Sequence, residues 1–364
     1  MAEESFIPDV KKIAILRSGA LGDFIVVLPA IESIKQTYPD AEIVLLGSPW
    51  LKPFLEDRRT PFDRFLSVPV YSGVREENAE DPDLFSLEAF FKSMQEEKFD
   101  IALQFQGKGL SANPFIKRLG AKLTVGMETP DTESLDRSIR YYYYQSEPLR
   151  FLEIVKLIGG KPVDPEPKVK VFRKDKEEIE ELLPEITNKP YIVLHPFAMD
   201  IRRSWPLEKF AELGEILHEI GFTIVFTGSK QDKELVETIF SKGEFPAINA
   251  CGILSLGGLC ALLSKSHLVV SSDTGPLHLA RAVGAKTIGI YWAPNLINWG
   301  PLTRSNHRPV ISWEMQCPIC GIMPNQPYPF EPQGETCSHN ISFVKNVQVG
   351  EVLNEVKEML NIKF

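Results

Sequence analysis

Two segments, Ser18-Gly-Ala-Leu-Gly-Asp23 and Ser271-Ser-Asp-Thr-Gly-Pro-Leu-His278, place polar groups where a β-branched run gives way to an apolar, periodic stretch. Each therefore sets side chains beside the unpaired N–H groups of a helix start. In the second segment the backbone N–H groups of Thr274 and Gly275, with the Thr274 hydroxyl, can hold a diphosphate without a cationic side chain. Gly275 permits close backbone approach, Pro276 suits the first helical turn, and His278 stands one turn beyond Thr274. In the first segment Gly19 and Gly22 tighten the turn, and Asp23 offers a carboxylate in the first helical turn. A carboxylate to take a proton and a seat for an anion are the two requirements of group transfer from a substrate with a phosphate leaving group. Each segment also has a purely structural role open to it: Asp23 as a cap of its own helix, and residues 273–278 as a well-capped helix start.

Asp200-Ile-Arg-Arg-Ser-Trp-Pro206 follows a strand-like run ending at His195. Two arginines just before a helix start oppose the helix dipole, and a bound anion would offset that cost. Gly228-Ser-Lys-Gln-Asp232 ends the next strand-like run, and an acidic residue there suits ribose hydroxyls as well as a helix cap. The spacing at Gly19 and Gly22 is not Gly-x-Gly-x-x-Gly, which counts against hydride transfer with a dinucleotide. Cys317-Pro-Ile-Cys320 followed by Cys337-Ser-His339 has the residue types and spacing to hold a structural zinc ion, with reduced thiols as the alternative. Asp81-Pro-Asp83 matches an Asp-x-Asp metal motif but lies in the acidic run Glu76–Asp83, a loop by composition and not a strand end, and is discounted as a metal site. Arg58, Arg59, Lys117 and Arg118 are available to an anionic acceptor, and solvated faces are the ordinary use of such residues.

The elements that must carry these groups alternate. Strand-like runs fall at Ile13–Arg17, Glu42–Leu46, Arg64–Val68, Asp100–Phe105 and Leu123–Val125, with helix-like segments between them at Gly22–Thr37, Pro49–Glu56, Ser86–Glu97 and Ser111–Leu119. Such βαβ alternation predicts a parallel sheet covered on both faces. Gly159-Gly160 and the prolines at 148, 162, 165 and 167 interrupt the pattern, and the domain boundary is expected there. A second series then runs through strands Val169–Phe172, Tyr191–His195, Thr223–Thr227, Leu268–Ser272 and Thr287–Trp292. Its helices are expected at Lys176–Leu183, Leu207–Ile220, Lys233–Phe240, Leu256–Leu263 and Gly275–Val283. The division is residues 1–160, 161–345 and 346–364, the last being a helix free to pack on either half. Both halves are doubly wound α/β sheets, whose ligand sites lie at strand C-terminal ends.

At 364 residues the chain is long enough for two domains with cores of their own. Hydrophobic content of 43% and charged content of 24% are those of a globular protein. A net charge of −9 argues against a general nucleic-acid binder. The opening Met1–Asp9 has no basic and apolar signal pattern, and the stretch Phe24–Ile31 is too short for a bilayer span, so a cytoplasmic location is expected.

Taken in order, Ala20-Leu-Gly-Asp-Phe-Ile-Val-Val-Leu-Pro-Ala, Arg203-Ser-Trp-Pro, Ser272-Asp-Thr-Gly-Pro-Leu-His-Leu-Ala-Arg-Ala-Val-Gly and Asn298-Trp-Gly-Pro resemble the heptosyltransferases of glycosyltransferase family 9. The match spans roughly residues 12 to 301. The resemblance implies a GT-B fold of two facing Rossmann-like domains, with the acceptor bound by the N-terminal domain and ADP-heptose by the C-terminal one. It implies inverting transfer to a lipopolysaccharide-core or related cell-envelope glycan, free or lipid-linked, with no bound metal and no cofactor. Asp23 takes the place of the catalytic base, Arg203, Thr274, Gly275 and His278 those of diphosphate contacts, Asp273 that of a donor-sugar contact, and Asp232 that of a nucleoside contact. The implied location is cytoplasmic, with peripheral contact at the inner membrane. Phe197-Ala198 stand where several relatives have hydroxyl residues, Arg203 replaces a Lys, and Asp232 a Glu. The reaction class is thus better defined than the donor. A GT-B transferase using another nucleotide sugar, or a non-catalytic sugar-nucleotide-binding or assembly protein, are the alternatives.

Overall fold

The computed structural model describes residues 5–55, 59–76, 86–240, 245–324 and 337–362. Arg58 and Asp81-Pro-Asp83 lie outside the described residues. Two compact units divide the chain, Met1–Pro167 and Lys168–Phe364.

The first unit runs β1 (Lys12–Leu16), α1 (Leu21–Thr37), β2 (Glu42–Gly47), a 3-10 turn Pro49–Leu51, α2 (Lys52–Leu55), β3 (Arg64–Ser67) and α3 (Leu87–Glu96). It continues with β4 (Ile101–Gln104), α4 (Ala112–Lys117), β5 (Leu123–Glu128), β6 (Arg137–Arg140) and α5 (Glu147–Lys156). The six strands form one sheet in the order β3-β2-β1-β4-β5-β6, every pair parallel. The central strands are apolar on both faces, as a sheet covered on two sides requires: Ile13, Ala14, Ile15 and Leu16 are fully buried. α1 is apolar nearly all round, with Phe24–Ile31 buried throughout, and α5 packs against it. α3 shows the opposite pattern, burying Phe90, Phe91 and Met94 on one stripe and starting at Ser86, whose side chain accepts from the Ala89 N–H at 3.3 Å.

The second unit runs α6 (Arg173–Leu182), a 3-10 turn Pro184–Ile186, β7 (Tyr191–His195), a 3-10 turn Ile201–Arg203, α7 (Leu207–Glu219), β8 (Thr223–Phe226), a 3-10 turn Lys230–Asp232, α8 (Lys233–Phe240) and β9 (Ala247–Asn249). It ends with α9 (Leu256–Lys265), β10 (Leu268–Ser272), α10 (Gly275–Ala282), β11 (Thr287–Trp292), α11 (Ala293–Trp299), β12 (His307–Ser312) and α12 (Val349–Leu360). Its sheet, also all parallel, has the order β12-β11-β10-β7-β8-β9. The two sheets have the same winding. In each, chain order reverses between the first strand and the fourth, β1 with β4 and β7 with β10. Loops from those strands leave in opposite directions and open a crevice at their C-terminal ends.

Three expectations change. Val169–Phe172 forms no strand: the Val169 N–H donates to the carbonyl of Ala282 at the end of α10, 2.9 Å away, so the segment is held by a helix end and not by a strand neighbour. The region around Pro148, read as the start of a linker, is helix α5. Proline costs little in a first turn, where its missing N–H would have no partner, so Pro148 starts the helix and the boundary moves to Pro167/Lys168. Residues 349–360 do not stand apart: α12 packs on α7, β11 and β12, and Val352 and Val356 join the core of the second unit. Strands β6, β9 and β12 and helix α11 are additional to the elements expected from sequence.

Candidate active site

In the first unit the crevice between β1 and β4 holds a carboxylate and its partners. Asp23, in the first turn of α1, accepts from the Ala20 N–H through Oδ2 (2.9 Å) and from Arg17 Nη2 through Oδ1 (2.8 Å). Arg17 also donates from Nε to the Asp23 carbonyl (2.9 Å) and from Nη1 to the Phe105 carbonyl, and its guanidinium lies 5.1 Å from the centre of the Phe151 ring. Behind it stands Glu147, 3.9 Å from Arg17 Nη2 and in contact with Arg150. Burial pushes the Glu147 carboxyl up, against the pull of Arg150 and Arg17. Arg17 is 5% exposed and Asp23 32%, so only the carboxylate reaches solvent. Asp23 thus caps its helix, and a carboxylate with about four acceptor positions still has room for an incoming hydroxyl. Gly19 is needed for this arrangement: a Cβ there would lie 2.6 Å from Asp23 Oδ2. Gly22 sits inside α1, not in the turn.

In the second unit the crevice between β7 and β10 gathers five of the expected residues. Asp273, 1% exposed, accepts from Asn295 Nδ2 of α11 at 2.8 Å. Arg203 Nη1 lies 3.7 Å from its Oδ2, and His278 Nε2 3.4 Å from its Oδ1. Burial alone would raise the Asp273 carboxyl. The His278 side chain, then Arg203 and Asn295, hold it below the ordinary carboxylate value instead. Gly275 opens α10, and Thr274 in extended conformation precedes it, its hydroxyl 3.2 Å from Ser271 Oγ. The arginine turn is fixed to the same strand: the Trp205 N–H donates to Ser272 Oγ (3.0 Å), which in turn donates to the Pro196 carbonyl (3.2 Å). Arg203 Nε, His278 Nδ1 and Asp273 Oδ1 are buried and have no hydrogen-bond partner among the described residues. Unpaired buried polar atoms are uncommon, and three at one crevice fit a polar ligand.

Asp232 is not beside these atoms in any described contact. Its Oδ2 accepts from the Ser229 N–H and hydroxyl, both at 2.7 Å, so it caps the turn Lys230–Asp232. His195 ends β7 with Nδ1 3.0 Å from Thr227 Oγ1, and burial pushes its imidazole down to about 4 against the pull of Asp232. Among the basic residues offered to an acceptor, Lys117 pairs with Glu133 (3.1 Å), Arg118 with Glu88 (2.6 Å), and Arg59 is buried with Nε donating to the Phe54 carbonyl (2.9 Å). Asn298-Trp-Gly-Pro ties helices together: the Trp299 carbonyl accepts from Arg281 of α10 at 3.1 Å.

Arg17, Glu147, Arg150 and Asn295 were missed by sequence reasoning. An arginine ending an apolar strand directly before a glycine turn was a usable signal for Arg17. Asn295 had none, since its helix was itself unexpected.

Two doubly wound units of this kind, with a charged crevice in each, are the parts of the GT-B architecture. Residues 87–324 match the model of glycosyltransferase family 9 (heptosyltransferase), and the chain belongs to that family. It is 25% identical over 308 residues to lipopolysaccharide core heptosyltransferase OpsX of Haemophilus influenzae, covering 80% of this chain and 82% of that one. It is 24% identical over 307 residues to an Escherichia coli lipopolysaccharide heptosyltransferase 3, covering 77% and 83%. The fold is shared with the family 9 glycosyl transferase of Veillonella parvula (TM-score 0.75, 17% identity, 96% and 97% covered). It is also shared with E. coli ADP-heptose lps heptosyltransferase II (TM-score 0.71, 17% identity, 96% and 98% covered).

Proposed function

We propose that the chain transfers heptose from ADP-heptose to a lipopolysaccharide-core or related cell-envelope glycan, inverting the anomeric carbon and using no catalytic metal. The observation that carries the donor half is the crevice of the second unit, where Arg203, His278 and the start of α10 meet around buried Asp273 with polar atoms left unpaired. In the proposed reaction the acceptor hydroxyl gives its proton to Asp23 as its oxygen attacks the anomeric carbon. The bond from that carbon to the diphosphate oxygen breaks, and ADP leaves with the electron pair. Displacement in one step inverts the configuration. The negative charge growing on the diphosphate is met by Arg203, His278 and the N–H groups of Thr274 and Gly275. Asp273 orients Arg203 and His278 and borders the donor sugar, and Asp232 faces the nucleoside. The related proteins named as acting on lipopolysaccharide support the acceptor class. No helix among the described residues is long and apolar enough to cross a membrane, and we place the reaction in the cytoplasm, at the inner face of the inner membrane.

The roles separate in a pair of variants. Asp23→Ala should lower turnover by about 10²–10⁴-fold, the usual value of a general base, with ADP affinity within about twofold of the parent. Arg203→Ala should do the reverse at the binding step, weakening ADP roughly tenfold or more in calorimetry by loss of a charged hydrogen bond. Turnover in Asp23→Ala within tenfold of the parent overturns the base assignment. Tighter binding and faster transfer with another nucleotide sugar would replace ADP-heptose as donor.

A further inference from the structure

All five cysteines lie in the second unit, and three of them meet one histidine away from the crevice. The ligand atoms of Cys317, Cys320, Cys337 and His339 are all within 4.8 Å of one another. Cys317 Sγ and Cys337 Sγ are each 3.7 Å from His339 Nδ1. Tetrahedral bonds of the usual zinc lengths would put sulfur and nitrogen about 3.6 Å apart, so the two cysteine–histidine pairs already have the spacing that a shared ion requires. The backbone is already shaped for it. Cys317-Pro-Ile-Cys320-Gly321 makes a tight turn closed by the Gly321 N–H donating to the Cys317 carbonyl (2.8 Å), with Gly321 at φ +72°. The Cys317 N–H then donates to the Ile322 carbonyl at 2.8 Å.

We propose that these four residues hold a single transition-metal ion in a closed tetrahedral site, and that the ion fastens the strap that supports the arginine turn. Thiolate and imidazole donors together suit zinc best, with iron the competitor. Four protein ligands leave no position for substrate, so the ion is structural. The strap is the segment just after His339. The Phe343 N–H donates to the Arg202 carbonyl (2.8 Å), and the Phe343 ring stacks on Trp292 with centroids 4.7 Å apart. The Phe343 carbonyl accepts from Ser312 Oγ, and the Val347 carbonyl from Trp205 Nε1 (2.9 Å) and Lys209 Nζ (2.7 Å). Arg202 and Trp205 therefore rest on this strap, and the metal would fasten it at the end nearest His339. Buried Cys317, 1% exposed, joins that strap to the core. The metal site itself does not depend on the donor reading above, whereas its effect on Arg203 does.

The test begins with metal content. Full-length protein purified without chelator and exhaustively dialysed should carry about one zinc per chain by plasma mass spectrometry. Iron at that ratio would overturn the choice of zinc, and less than about 0.1 metal per chain after incubation with either ion would overturn the site. Cys320→Ser, at the exposed ligand, and His339→Ala should each lose the ion, while Cys260→Ala, buried in α9, should keep it. Metal retained by both ligand variants overturns the assignment. Circular dichroism of the ligand variants tells loss of the site from loss of the fold. In folded, metal-free protein, ADP affinity should fall roughly fivefold, the worth of one lost hydrogen bond under Arg202. Unchanged ADP affinity in protein shown to lose its metal overturns the supporting role, and absence of any ADP binding in the metal-loaded parent overturns the donor reading instead.

Discussion

The two crevices share a strand order and differ in what they expose. In the first unit the buried group is a cation, Arg17 at 5% exposure, and the group reaching solvent is the carboxylate of Asp23. In the second the buried group is an anion, Asp273 at 1%, and the groups beside it with unused donors are Arg203 and His278. The same winding has therefore been fitted with opposite charges. A carboxylate held over a buried arginine offers an acceptor, whereas an arginine and a histidine held beside a buried aspartate offer donors. The unequal backing matters too. Arg17 has a second carboxylate, Glu147, at 3.9 Å and a backbone carbonyl, whereas the second carboxylate that acts on Arg203, Asp200, is itself paired with Arg202 at 2.7 Å.

That difference can be broken by deleting the two aspartates in turn. Asp273→Ala leaves the Arg203 guanidinium and the buried His278 ring without their shared carboxylate, and the unfolding free energy should fall by about 3 kcal/mol or more. Asp23→Ala leaves Arg17 with Glu147 and removes one helix cap, a loss of about 1 kcal/mol. Urea denaturation of the two variants measures both. Equal losses would mean that the crevices are backed alike and that the charge inversion has no energetic content.

A second contrast is in acid. All six histidines lie in the second unit, and burial drives the imidazole of His195 down to about 4 from an ordinary 6.5. Between those values the folded protein keeps His195 neutral while the unfolded chain takes up a proton. The unfolded state then binds more protons, so stability rises with pH across this window and is lost as pH falls from about 6.5 to 4. The loss expected from His195 alone is about 3 kcal/mol. Denaturation midpoints at pH 7 and pH 4.5 should therefore differ less in His195→Gln than in the parent. An unchanged difference would show that His195 is not the group responsible, and that the second unit answers to acid through carboxylates as the first does.

How much of this was open to reading in the sequence follows from where the information lies. Leu268–Ser272 and Thr287–Trp292 form at the expected residues because short runs rich in β-branched or aromatic residues and buried on both faces have no competing use. The strand expected at Val169–Phe172 has a similar look, but its N–H is taken by a helix end, a tertiary fact that propensity does not contain. Pro148 misled for a chemical reason: the same residue that breaks a helix interior begins one, and only the neighbours decide. At the sites, Asp23 and residues 273–278 were legible because backbone chemistry ties them to a helix start. Arg17 and Asn295 come from other elements, one across the turn and one from α11, and their roles depend on packing. The cysteine cluster was legible as spacing, but the strap it joins to Arg202 was not.

The smallest difference concerns two residues that do the same local job. Asp23 reaches back to the Ala20 N–H and Asp232 to the Ser229 N–H, each with one carboxylate oxygen at 2.9 and 2.7 Å. As caps they should be worth the same, about 1 kcal/mol each, and Asp232→Ala should lower stability by that amount. As functional groups they should differ. Asp232 has a second local donor in the Ser229 hydroxyl and no ionic partner in a described contact, so its remaining acceptor capacity is suited to a neutral ribose hydroxyl, not to a proton in flight. Asp232→Ala should then raise the donor KM by a few fold, in line with one lost neutral hydrogen bond, and leave kcat within about twofold. Asp232→Asn, which keeps an acceptor oxygen, should recover most of both effects. A fall in kcat with an unchanged donor KM would remove Asp232 from the nucleoside site and place it with Asp23 among the groups that serve the chemical step.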